Sequence, residues 1–143
     1  MSDPRAPEVT RTVELDATVD EVWTALTDDE ERAAWFGGDG WIDVRPGGHG
    51  EIRSPDGSLH RVAVDTVEPG RRLGWRWSPE PGGPVSDVEF VVEQVPRGAR
   101  LTVTERRVEI SGTGATGLQA SVTPSVTARL LDLELLFLAR SRV

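Results

Sequence analysis

Between Trp41 and Val108 the chain is cut at short intervals by turn-forming clusters: Pro46-Gly47-Gly48, Pro55-Asp56-Gly57, Pro69-Gly70, the run from Pro79 to Pro84, and Pro96-Arg97-Gly98. Proline fixes φ and removes a donor, while glycine reaches conformations closed to other residues, so such clusters reverse the chain. The pieces between them are strand-length: Leu59 to Val67, Arg72 to Trp77, Val85 to Val95 and Ala99 to Val108. Leu73, Trp75 and Trp77 alternate along one piece and Val88, Phe90 and Val92 along another, the period-two pattern of a half-buried sheet. Short reversals permit only antiparallel pairing, because a parallel crossover needs about a dozen residues or more. An antiparallel meander is the expectation.

The flanks change period. Residues 1–7 read as a flexible tail, and Val9 to Asp16 alternates as a first strand whose apolar face is interrupted by Arg11. Val19, Val22, Trp23 and Leu26 then fall at helical spacing behind Thr18, with Glu21 three residues later as a capping box. A second box, Thr27 with Glu30, opens a segment carrying Ala33, Ala34, Trp35 and Phe36 that stops at Gly37-Gly38. At the other end Thr123-Pro124 supplies a helix start, and Val126, Leu130, Leu133 and Phe137 form the apolar stripe of a long C-terminal helix. The order β, α, α, many β, long α describes one α+β domain over residues 8–143, with no repeat or linker.

Composition excludes several functions. The chain has no cysteine, hence no disulfide, thiolate metal site or cysteine nucleophile. All sixteen basic residues are arginine, which removes Schiff-base and P-loop lysines. A net charge of -8 without a concentrated basic face speaks against nucleic acid as a partner. No apolar run reaches the roughly 18 residues of a membrane span, and the first residues lack a secretory pattern, so the expected location is cytoplasmic with no membrane partner.

The run Asp16-Ala17-Thr18-Val19-Asp20-Glu21-Val22-Trp23-Thr24-Ala25-Leu26-Thr27, with Trp35-Phe36 behind it, is followed by Asp43-Val44-Arg45-Pro46-Gly47-Gly48 and Asp56-Gly57. Next come the stretch from Val67 to Trp77 and Gly98-Ala99-Arg100-Leu101-Thr102-Val103-Thr104. In this order the chain resembles the SRPBCC superfamily of START and pollen-allergen-like helix-grip proteins, in the branch of homologues of the activator of a heat-shock chaperone ATPase. The resemblance covers about residues 8–140 and implies a curved antiparallel sheet gripping the C-terminal helix. It also implies a hydrophobic cavity between them, which in many relatives holds an apolar or aromatic small molecule. Some relatives are polyketide cyclases, aromatases or hydrolases, others only bind, and the namesake regulates a chaperone, so the fold leaves the function open. Relatives commonly place a glycine-aromatic pair before the last helix, where this chain has Gly117-Leu118.

The residues offer few chemical groups. Gly112-Thr113-Gly114-Ala115-Thr116-Gly117 has the spacing of a dinucleotide fingerprint, but no βαβ unit can follow it, so it reads as a loop over the pocket mouth and no cofactor is implied. His60 shares a strand face with Val62 and Val64, whereas His49 follows a turn and is expected to be solvated. Glu105 alternates with Leu101 and Val103, and is either a carboxylate in an apolar pocket or a rim residue paired with Arg107 or Arg76. His60 and Glu105 are therefore the candidate catalytic groups. No metal-ligand spacing exists, and Ser54, Ser58 and Ser78 belong to no triad pattern.

Trp75 and Trp77 alternate as an aromatic wall would, Trp41 is placed to close one end, and Trp23 and Trp35 read as core. The expected ligand-contacting set is Trp41, His60, Trp75, Trp77, Phe90, Val103, Leu133 and Phe137. Three functions stay open: small-molecule binding, a cyclase or hydrolase reaction on a polyketide-like substrate, and interaction with a chaperone. Surplus leucines on the last helix (Leu131, Leu135, Leu138) would suit a homodimer.

Overall fold

The computed structural model describes residues 8–36, 39–54, 57–79, 82, 83 and 85–108, together with Leu133 and Phe137. Its elements run β1 (Glu8–Leu15), α1 (Val19–Thr27), α2 (Asp29–Phe36), β2 (Asp39–Ile42), β3 (His49–Arg53), β4 (Leu59–Glu68), β5 (Arg72–Pro79), β6 (Val85–Val95) and β7 (Gly98–Val108). From β2 onward each strand pairs with the next, and β1 returns to the far side of β7, giving one antiparallel sheet in the order β1-β7-β6-β5-β4-β3-β2. The turn clusters thus do separate the strands. β2 and β3, too short to show a period, are additions to the four strand segments read from alternation.

Alternation sorts each strand into two faces. One face carries Leu73, Trp75 and Trp77 of β5, Val88, Phe90 and Val92 of β6, and Leu101 and Val103 of β7, all buried in one apolar core. On β4 an extra residue at Asp65 shifts the register between Val64 and Thr66, which keeps Val67 opposite Leu73. The β1 face is only half apolar. Val13 and Leu15 are buried, but Val9 is 53% exposed, because this end of an edge strand runs beyond the core.

The helices close over the buried face. Thr18 accepts from the Glu21 amide at 3.1 Å while Glu21 accepts from the Thr18 amide at 2.9 Å, the reciprocal cap expected of α1. The start of α2 differs from the expected box at Thr27. Asp28 takes the cap, accepting from the Glu31 amide at 3.0 Å, and the Thr27 hydroxyl instead donates back to the Trp23 carbonyl at 2.9 Å. With α1 and α2 joined through a single residue, the later side chain is the one whose oxygen reaches the free amides.

Arg32 of α2 is buried at 3% exposure and donates to Asp29 Oδ1 at 2.5 Å and to the Leu26 carbonyl at 3.3 Å. The same Asp29 oxygen accepts from the Ile42 amide at 3.2 Å, so one carboxylate ties α2 to β2. In the Pro46-Gly47-Gly48 turn, a Cβ at Gly48 would stand 2.0 Å from the Asp43 carbonyl oxygen, so the close approach of the chain itself requires glycine there.

Leu133 and Phe137 are helical and buried in the core. The rest of the expected C-terminal helix, the Gly112 to Gly117 segment, the residue 1–7 tail and Leu131, Leu135 and Leu138 lie outside the described residues. Among the described residues no helix is long and apolar enough to cross a membrane.

Candidate functional site

The pairing register lays the buried face out in rows. Val9, Glu105, Val88, Trp75 and Val64 form one row across five strands. In the next row toward β2, Trp77 stands between Ser86 and Val62, and beyond it His60 lies between Pro79 and Ile52. Neighbouring rows bring aromatic rings into contact. Trp75 meets Phe90 edge-on with centroids 5.1 Å apart and Trp77 at 6.1 Å. Trp77 in turn meets the His60 imidazole at 4.6 Å and Phe36 of α2 at 5.8 Å. The result is a continuous aromatic wall from β6 to α2, in the offset and edge geometries that ring quadrupoles favour.

Most of the expected ligand-contacting residues share this face: His60, Trp75, Trp77, Phe90 and Val103 are buried on it, and Leu133 and Phe137 belong to the same core. Trp41 does not. It is 50% exposed on the opposite face, across from Glu51, while its strand neighbour Ile42 is the one turned inward. It therefore closes no end of the wall. Phe36 joins the wall instead. Its only sequence signal was the consecutive aromatic pair Trp35-Phe36 at the end of α2, both of which are buried.

The two candidate proton-transfer groups are set apart. His60 is on β4 and Glu105 on β7, three strand spacings sideways and two rows along. At ~4.8 Å per strand and ~3.3 Å per residue their Cα atoms are about 19 Å apart along the sheet. They cannot share a proton directly. Nor is Arg76 a partner for Glu105: it lies on the outer face, where its Nε donates to Asp87 at 2.9 Å, and that hydrogen bond and charge raise the Arg76 pKa. His49 is exposed, as its turn position implies.

Open concavities border charged segments of the chain. One of about 620 Å³ runs between Asp16 to Glu21 and Gln94 to Gly98, and its Glu21 carboxylate is already engaged in the α1 cap. Another, about 400 Å³, is bordered by the charged Glu8, Asp65, Asp87, Glu89 and Arg106 together with Trp75 and Val88. Neither is lined by Trp77 or His60, and neither has the apolar lining that a hydrophobic ligand requires. Among the described residues no group of three or more metal-ligating side chains converges.

Solved structures share this architecture. CV1439 from Chromobacterium violaceum is 16% identical and aligns with a TM-score of 0.65 over 91% of this chain and 96% of that one. CalU16 from Micromonospora echinospora is 30% identical, with a TM-score of 0.60 over 73% of this chain and 62% of that one. DynU16, a protein from the dynemicin biosynthetic locus, is 29% identical, with a TM-score of 0.63 over 93% of this chain and 45% of that one. No curated protein matches the sequence. Residues 16–130, from the end of β1 through the whole meander, match the family model described as Activator of Hsp90 ATPase homolog 1-like protein, and the chain belongs to that family, within the SRPBCC superfamily.

Proposed function

We propose that the protein binds an apolar or aromatic small molecule against the buried face of the sheet, between Trp75, Trp77 and Phe90 on one side and Leu133 and Phe137 on the other. The observation that carries this reading is the aromatic wall itself. Five rings in contact, from Phe90 through Trp75 and Trp77 to Phe36 and His60, form the kind of surface that apolar ligand sites use. The likeness to CalU16 and to DynU16 from a biosynthetic locus agrees with a small-molecule ligand.

The competing readings have less support. An acid-base reaction on a polyketide-like substrate would have Glu105 or His60 move a proton, and their separation of about 19 Å along the sheet leaves neither as the other's direct proton partner. A chaperone-binding role needs a contiguous exposed apolar patch. Among the described residues the large exposed hydrophobics are Val9 and Trp41, at opposite edges of the sheet.

The test is a titration of aromatic and fatty compounds into the purified protein, followed by tryptophan fluorescence, with native mass spectrometry for co-purified ligand. Saturable quenching by one compound class, weakened in Trp77→Phe, is the expected result. Absence of any saturable binding across both classes would remove the reading.

A further inference from the structure

Trp75 is 2% exposed, yet its indole Nε1–H has no hydrogen-bond acceptor among the described residues. Buried indole N–H groups usually find one, because desolvation without a partner costs as much as a hydrogen bond is worth. The same chain obeys this elsewhere: the buried Trp35 indole donates to the Ala25 carbonyl at 2.8 Å. Around Trp75 the cross-strand neighbours are Val64 and Val88, and the rings in contact are Phe90 and Trp77, so the sheet offers no oxygen. A buried indole donor left open in an apolar wall calls for an explanation.

We infer that the Trp75 indole N–H is the polar recognition element of the site, and that the ligand is an oxygenated aromatic whose carbonyl or hydroxyl oxygen accepts from it. This rests on the binding reading above and narrows its ligand class. A pure hydrocarbon or an acyl chain buried against Trp75 leaves the donor unsatisfied, whereas a ring ketone supplies the acceptor at the same size. Apolar surface then provides affinity and the indole donor fixes orientation.

The test compares matched tricyclic probes, 9-fluorenone against fluorene and anthraquinone against anthracene, by calorimetry on the wild-type protein and on Trp75→Phe. The wild type is expected to prefer each ketone by about tenfold, the value of one neutral hydrogen bond formed by an otherwise unsatisfied donor. Trp75→Phe keeps an aromatic side chain but removes the indole donor, so, whatever its overall affinity, its ratio of ketone to hydrocarbon binding is expected to fall to about one. A ¹⁵N-resolved spectrum gives a readout independent of the variant's affinity. The indole resonance missing from Trp75→Phe should move downfield on adding ketone and stay in place on adding hydrocarbon. Equal affinity for ketone and hydrocarbon with an unmoved resonance would overturn this inference while leaving hydrophobic binding intact. Failure of all four probes to bind would overturn both. If Trp75→Phe instead loses stability with no change in ligand preference, the N–H serves the fold through the face of Phe90 and the inference falls.

Discussion

Removing the carboxylate of Asp29 should destabilise the protein far more than removing the guanidinium it binds. Arg32 is 3% exposed and Asp29 47%, so the two halves of this ion pair stand in different media. In Asp29→Ala the buried cation keeps only the Leu26 carbonyl, and the Ile42 amide loses its acceptor. Breaking a wholly buried pair from one side costs about 3–5 kcal/mol, and solvent around Asp29 lowers that to about 3 kcal/mol here, including the orphaned amide. In Arg32→Met the aliphatic volume is retained, while the carboxylate meets water, still accepts from Ile42 and still faces the first turn of α2, so the loss is about 1 kcal/mol or less. At about 2–4 °C per kcal/mol for a domain of this size, Asp29→Ala should lower Tm by about 6–12 °C and Arg32→Met by no more than about 4 °C. Adding Arg32→Met to Asp29→Ala should recover about 1–2 kcal/mol by removing the uncompensated cation. Urea unfolding followed by tryptophan fluorescence, with calorimetry for Tm, measures all three variants. An Arg32→Met loss equal to that of Asp29→Ala, or a double variant no more stable than Asp29→Ala, would refute the argument that burial asymmetry controls the pair.

Other expectations follow from single side chains. Gly98 has φ +150° and a Cβ there would lie 2.2 Å from the Leu15 carbonyl oxygen, so Gly98→Ala should cost more than about 3 kcal/mol, read as a Tm loss or as insoluble expression. Trp77 packs on Phe36, His60 and Trp75, so Trp77→Ala should lose about 3–5 kcal/mol in urea unfolding. Truncation to alanine removes packing and ligand surface together, so Trp77→Phe is the variant that separates binding from stability. Trp35→Phe should cost about 1 kcal/mol beyond its volume change for the lost bond to Ala25, whereas Trp75→Phe should show no such extra loss in the same assay.

Much of the architecture was legible before any tertiary contact was known. The alternation of Leu73, Trp75 and Trp77 named the buried face of β5, the spacing of Leu101, Val103 and Glu105 named that of β7, and Thr18 with Glu21 marked the start of α1. Trp41 shows where such reading stops. In a strand of four residues, Asp39–Ile42, one slip of register exchanges the faces, and the lone pair Trp41-Ile42 offers no longer pattern to decide which side chain turns inward. Thr27 failed as a cap for a related reason, since Thr and Asp are both good caps and only the path of the chain between α1 and α2 selects Asp28.

The sequence by itself determined where the chain turns and which side chains alternate, because proline, glycine and period-two patterning act within a few residues. The tertiary structure alone decided which strands meet and in what register. The first strand pairs with the last, so that the Thr10 and Thr104 hydroxyls lie 3.2 Å apart across a separation of 94 residues. That register places His60 and Glu105 in different rows and sets Trp75 between Val64 and Val88, arrangements that no local pattern encodes. The physical reason is that each depends on partners distant in sequence, brought together only when the sheet buries one common face.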